Sequence, residues 1–163
     1  MLFLNSSSFA LTVEEAKKSL GPFKEELMGT LMAKMKEAGP MAALETCKLK
    51  AMPITQKHTT GVVGMGRTSH KVRNPDNAPK DWVKPYLAQF KSGKLKQAMT
   101  IDLKNGHTGY LEPIYIQPKC LICHGSNLSI GIEASLKEKY PQDQARGFKT
   151  GEFRGLFWIE SAK

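Results

Sequence analysis

Three cysteines in 163 residues exclude a framework in which every thiol is paired within the chain. Two of them stand in Cys120-Leu-Ile-Cys123-His124. A Cys-x-x-Cys-His run is the attachment sequence for c-type haem. Two thiols three residues apart add across the vinyl groups of one porphyrin, and the adjacent His reaches the iron from the same side. A haem held this way becomes part of the core, so the motif constrains the fold more than any other feature of the chain. Other chemistries that use the same residues fit less well. Structural zinc asks for four ligands, and a consecutive Cys-His pair beside Cys120 is awkward tetrahedral geometry. A thioredoxin-type dithiol opens a helix after a parallel strand, whereas Gly125-Ser-Asn-Leu-Ser follows here. A plain disulfide leaves His124 without a role. One motif implies one haem c with its iron. Because thioether bonds form outside the cytoplasm, it also implies a periplasmic or otherwise exported chain.

The charge balance is less constraining. There are 24 Lys+Arg against 15 Asp+Glu, a formal net charge of +9. The lysines are scattered, and the arginines are only Arg67, Arg73, Arg146 and Arg154. A nucleic-acid binder concentrates basic residues among stacking aromatics, so nucleic acid is not an expected partner. Scattered lysine describes a solvated surface, with a docking face for an acidic partner or an anionic membrane as the alternative. At 40% hydrophobic and 24% charged residues, the chain has the composition of one globular domain. No apolar run approaches the ~20 residues of a spanning helix. Residues 1–10 end in Ser8-Phe9-Ala10, a small-x-small pattern, and are expected to be a signal-peptide remnant or a disordered terminus. Residues 11–163 then form the single domain.

Helices are expected first and a sheet after them. Thr12-Val-Glu-Glu15 has the form of a capping box. Leu20, Phe23, Leu27 and Leu31 follow at helical spacing, with Met28, Met32 and Met35 beside them. Gly21-Pro22 is expected to break or kink this helix, and Gly39 to cap it. Pro40 then opens a second helix through about Lys50, with Met41, Leu44, Cys47 and Leu49 near one face. Gly61 to Ser69 is a predicted Gly-rich strand, and Arg73 to Pro79 a turn-forming loop. Asp81 to Lys91 is a short predicted helix with Trp82, Tyr86 and Phe90 four apart. Ala98 to Lys104 and Tyr110 to Gln117 alternate around Asn105-Gly106, a hairpin signal. Gly151 to Ser161 is a predicted buried strand. The sum is an α+β domain, helices leading into an antiparallel sheet.

The sixth position on the iron has several claimants: Cys47, His58, His70, His107, Met52 and Met65. Each has an ordinary alternative role as a buried thiol, a satisfied imidazole or a core thioether, and chemistry alone does not separate them. A thiolate or imidazole there holds the potential low, and a methionine raises it. Arg67, Arg73 and Arg154 are candidates for pairing with haem propionates, since a planar guanidinium matches a carboxylate. The competing role is an ordinary ion pair, such as Arg73 with Asp76. Tyr110 and Tyr115 are placed in the sheet core in preference to the haem edge.

A wider pattern then becomes visible. It consists of Gly66-Arg-Thr-Ser-His-Lys-Val-Arg-Asn-Pro-Asp-Asn-Ala-Pro79 with Trp82, Glu112-Pro-Ile114, Cys120 to Gly125, Tyr140-Pro-Gln-Asp143 with Ala145 and Gly147, and Gly151-Glu-Phe-Arg-Gly155. In this order they resemble the haem-c-bearing, PAS-like periplasmic sensor domains catalogued as a domain of unknown function. That family includes a cyanobacterial photosystem-associated monohaem cytochrome. The resemblance runs from about Leu31 to Glu160. It implies a PAS-like antiparallel sheet flanked by N-terminal helices. It also implies a distal role for the Cys of Ala42-Ala-Leu-Glu-Thr-Cys47, which in the photosystem-associated relative lies opposite the motif His. Many members continue into kinase or chemoreceptor modules. A chain ending at Lys163 is therefore expected to be a free cytochrome or an excised sensor module.

Two functions follow. The first is a redox or diatomic-gas sensor whose distal bond breaks and whose helices move, with a signalling module as partner. The second is a small electron-transfer cytochrome whose axial bonds persist, with a redox protein as partner. An enzyme would need an open distal site with an acid–base pair, which the sequence does not display.

Overall fold

A computed structural model describes residues 10–104 and 106–162. Nine of the ten residues assigned above to the terminal segment, and Asn105 of the predicted turn, lie outside these. The chain opens with α1 (Val13–His58). Thr12 accepts from the Glu15 amide while the Glu15 carboxylate accepts from the Thr12 amide, so the predicted capping box is formed. Gly21-Pro22 does not break the helix, which corrects the expectation. The only non-helical backbone inside α1 is at Gly39 (φ 79°, ψ −176°). Pro22 costs the helix one bond, to the Lys18 carbonyl, and Lys18 is exposed, so water can take its place. At Gly39 the positive φ turns the chain back, and Pro40 starts a second leg. This leg continues through Pro53 to His58, beyond the predicted end at Lys50.

The two legs lie side by side. Leu27, Thr30 and Leu31 face Thr46, Cys47, Lys50, Ala51 and Ile54. Lys57 and His58 both reach the Glu26 carboxylate, each at 2.7 Å. Ala16, Leu20 and Phe23 then bury themselves with Ile54 against Met65, Tyr110 and Ile159 of the sheet. The Lys24 ammonium pairs with Glu112, which also accepts from the Tyr110 hydroxyl at 2.9 Å.

The sheet has four strands, β1 (Gly64–Thr68), β2 (Met99–Asp102), β3 (Thr108–Tyr115) and β4 (Phe153–Ser161), in the order β1-β4-β3-β2. All pairings are antiparallel. The β2–β3 hairpin was predicted, and Gly106 takes φ +79° in its turn. Pro113 lies inside β3 but beyond the last β2 partner, Met99 opposite Leu111, so its missing N–H faces an open edge. The sheet's second face carries Leu111, Phe153 and Leu156 against Val83, Leu87 and Phe90 of the α2 (Lys84–Lys91) region. The buried stripe there is Val83-Leu87-Phe90; Trp82 and Tyr86 are only half-buried. The fold is α+β as expected, with the α1 legs on one face of the sheet and α2 on the other.

Two features of β4 position the site. Register shifts between Ile114 and Tyr115 leave Arg154 as the extra residue on β4, and this bulge re-aims it. Gly155 beside it passes so close to β1 that an added Cβ would stand 2.1 Å from the Thr68 carbonyl oxygen. Backbone cannot yield there as a side chain would. Gly155→Ala is expected to cost about 3 kcal/mol or more, lowering Tm by roughly 6–12 °C in a chain of this length. A thermal melt showing a change under 2 °C would refute the contact.

Candidate cofactor site

Pro118–Cys120 forms a 3-10 turn that runs directly into α3 (Leu121–His124). The turn fans the motif out. Cys120 packs with Ile116, Ala145 and Phe148, and Cys123 packs with Leu44, Ile132, Leu136 and Tyr140. His124 closes the turn, followed by buried Gly125, whose amide donates to the Leu121 carbonyl at 2.9 Å. A Cβ on Gly125 would stand 2.6 Å from that same oxygen, so only glycine allows the chain to leave here.

The His124 Nδ1 lies 2.7 Å from the Ala145 carbonyl. A carbonyl only accepts, so Nδ1 carries the proton and Nε2 presents a lone pair. Burial pushes the His124 imidazolium down to about 3, helped by the nearby charges of Arg73 and Arg154. The ring is therefore neutral across the physiological range. Phe148 meets it edge-on at 6.4 Å.

Cys47 arrives from the second leg of α1. Leu44, one turn before it, packs into the cluster that holds Cys123. The Cys47 thiol is within electrostatic reach of Arg67, Arg73, Tyr140 and Cys123. Burial pushes this thiol up, against the opposing influence of Arg67 and Arg73. The structure thus brings Cys47, Cys120, Cys123 and His124 to one place, where the α1 hairpin meets α3.

Of the other claimants to the iron, His58, His107 and Met65 are engaged elsewhere in the fold, whereas His70 shares the Phe148 ring with His124 and Met52 shares a cleft with Arg73 and Tyr140. His58 is held by Glu26, and His107 lies 2.8 Å from Glu160. Met65 belongs to the cluster under α1, and Met52 lines a cleft that the thiols do not. His70 stacks on Phe153 at 5.8 Å and meets Phe148 edge-on at 5.9 Å, and its Nδ1 is buried without a partner among the described residues.

The three arginines do come together, in different roles. Arg73 does not pair with Asp76; it bonds the Asp143 carboxylate at 3.1 Å and donates to the carbonyls of Cys123 (2.5 Å) and Ala145 (3.2 Å). Asp143, fully buried, also takes Arg146 at 2.8 Å. Burial works to raise the Asp143 carboxyl, but its bonds to Arg73 and Arg146 outweigh burial and hold it below the ordinary range. Arg154 donates to the Lys71 carbonyl at 3.1 Å and lies 5.3 Å from the Phe148 ring centre. Burial, then Arg73 and Arg67, push its guanidinium down to about 10. Arg67 shares the α1-facing side of β1 with Met65 and has no hydrogen bond or ion pair among the described residues. Burial and Arg73 lower its pKa, against Cys47 and Tyr140. Tyr110 is fully buried as predicted, but Tyr115 is 41% exposed and is no core residue.

These donors suit a haem. Two thiols and an imidazole with its Nε2 lone pair available share one turn, and a third thiol from another helix lies near Cys123. The half-buried Arg67, without a hydrogen bond or ion pair among the described residues, can take an anion such as a propionate.

Residues 9–161 match the model of the Tll0287-like family, Tll0287. The chain belongs to this family. Tll0287-like chains have a solved structure to compare with, the crystal structure of the cyanobacterial heme-protein Tll0287. It is 27% identical to this chain, covers 92% of it and 96% of its own length, and superposes with a TM-score of 0.64. No curated protein matches the chain. Among the described residues, no helix is long and apolar enough to cross a membrane.

Asp143, Ala145 and Phe148, which hold His124 and Arg73 in place, were not predicted as site residues. Their signal was the Tyr140-Pro-Gln-Asp143 run and Ala145, quoted above only as part of a resemblance.

Proposed function

We propose that the chain is a monohaem c-type cytochrome domain acting as a haem-based redox or gas sensor. One haem would be bonded to Cys120 and Cys123, with His124 as proximal and Cys47 as distal ligand. The observation that supports this best is the convergence of Cys47, carried by α1, on Cys123 and the arginines flanking His124. The haem-protein neighbour points the same way. When bound, the haem supplies an iron that changes oxidation state and takes a diatomic gas where an axial bond opens. The chain's own residues do the rest. Ala145 fixes the His124 tautomer, and Arg73 ties the attachment turn to Asp143. Arg67 offers the least committed positive charge to a propionate.

Cys47 lies mid-leg, between Leu44 on the α4 (Ile130–Lys139) side and Ile54 on the sheet. Holding the haem iron there, Cys47 would tie this leg to the attachment turn, and the leg would be freed if Cys47 no longer held it. The antiparallel sheet beneath serves as the PAS-like platform, and a signalling module or redox protein receives the change. An exported location follows from thioether chemistry, and no catalytic acid–base pair enters the scheme.

The test is an absorption and EPR comparison of wild type and Cys47→Ala. The ferric low-spin signal of the wild type is expected to be lost in the variant, and the ferrous wild type is expected to bind CO. An unchanged ferric signal removes Cys47 as ligand. Ferrous protein that stays six-coordinate and takes no CO is an electron carrier instead. A pyridine haemochrome without the c-type band position would exclude covalent haem.

A further inference from the structure

A cleft of about 250 Å3 opens beside the attachment turn and has no role in the scheme above. Cys47, Cys120, Cys123 and His124 do not line it. Tyr140 and Met52 wall it, Lys48 and Lys139 bring two cations to it, and Arg73, whose charge is paired with Asp143, lies along the same lining. Asp76, an exposed residue, is the one carboxylate along its lining. Lys139 has a side chain only 20% exposed, yet its nearest carboxylate is Glu138 at 3.9 Å, itself 77% exposed. An ammonium so enclosed, with so loose a partner, is poised for a better one. Lys48 stands 5.9 Å from the Tyr140 ring centre, which places its charge on the same wall. Convergent cations on an aromatic and thioether wall are the chemistry of a site for a carboxylate on a small apolar body.

Arg73 connects this cleft to the iron site. One side of the residue lines the cleft; its guanidinium donates to the Cys123 and Ala145 carbonyls, and the Ala145 oxygen also holds His124. We propose that the cleft is a carboxylate-binding site formed by Lys48, Lys139 and Arg73, whose occupancy is felt at His124 through Arg73. Two sources offer that chemistry: a propionate of the chain's own haem, which rests on the function proposed above, or a free small organic acid, which does not.

The experiment uses purified protein of measured haem content, titrated with benzoate and, as a neutral control, benzamide. Binding is read from the Tyr140 ring resonances and the Soret band. Saturable binding of benzoate but not benzamide, weakened about tenfold or more in Lys139→Gln, establishes the free acid. No benzoate binding, with Lys139→Gln shifting the pH dependence of the haem potential, establishes the propionate. If neither is seen in Lys139→Gln or Lys48→Gln, both folded by circular dichroism, the proposal is overturned and Lys139 merely complements the C-terminus of α4. Absence of haem c would refute the cytochrome and leave benzoate binding still readable, so the two failures are distinct.

Discussion

With Cys120 and Cys123 both replaced by serine, acidified acetone is expected to extract all the haem that the wild-type chain retains. The two thiols reach different walls, Cys120 the Ile116-Ala145-Phe148 cluster and Cys123 the Leu44-Ile132-Leu136-Tyr140 cluster. Each single replacement should therefore leave one thioether, visible as retained haem with a red-shifted reduced α-band. Only the double variant is expected to lose covalent attachment altogether, because Cys47 comes from α1 and its proposed role is toward the iron rather than a vinyl. Haem resisting extraction in the double variant would show that attachment lies elsewhere and would undo the assignment of the motif. The haem stain on a denaturing gel gives the same answer independently.

The site was legible to the extent that its chemistry is local. Cys120, Cys123 and His124 are adjacent in sequence, and the turn that presents them is set by Pro118 and Gly125. Cys47 lies over seventy positions away, and periodicity could say only that it sat near a helix face. Its place at the site was implied by a resemblance, and the packing of Leu44 on the Cys123 cluster gives that implication a physical basis. The arginines show the limit most clearly. All three are named from sequence as candidates for propionate pairing, but Arg73 and Asp76 are near in sequence while Arg73 and Asp143 are near only in the fold.

The fold followed the same division. The capping box, the hairpin at Gly106 and the final strand are written in local patterns. The two Gly-Pro pairs in α1 are nearly the same locally and behave in opposite ways. Gly39 reverses the chain because Leu27 and Leu31 must meet Ala51 and Ile54, while at Gly21 continuing the helix keeps Leu20 and Phe23 on the sheet. Tertiary packing made that choice. Helix α4 was missed altogether, since Gly131 and exposed Ile130 obscured its Ile132-Leu136-Tyr140 stripe and the Ser129 cap.

Asp143 carries the second large expected effect. Its side chain is fully buried between Arg73, which is 11% exposed, and Arg146, and it also accepts from the Ala145 amide at 2.9 Å. Asp143→Asn keeps the shape and removes the charge, leaving two guanidinium groups beside a neutral amide. Breaking a buried pair from one side costs about 3–5 kcal/mol, or roughly 6–20 °C in Tm at this length. The pH dependence has a definite sign. The folded carboxyl is depressed below its ordinary value of about 3.9. Its stabilisation is therefore fully present above that value and is lost as pH falls below it, through the folded pKa. The gap in stability between wild type and Asp143→Asn should hold from neutrality to about pH 5 and close in stronger acid. Arg73→Met in the Asp143→Asn background should cost less than the two changes summed, since the two groups share one bond. The haem spectrum should register the change as well, because Arg73 and Asp143 both bond Ala145, whose carbonyl accepts from His124. Additive losses with an unaltered spectrum would mean that Asp143 stabilises its loop without positioning His124.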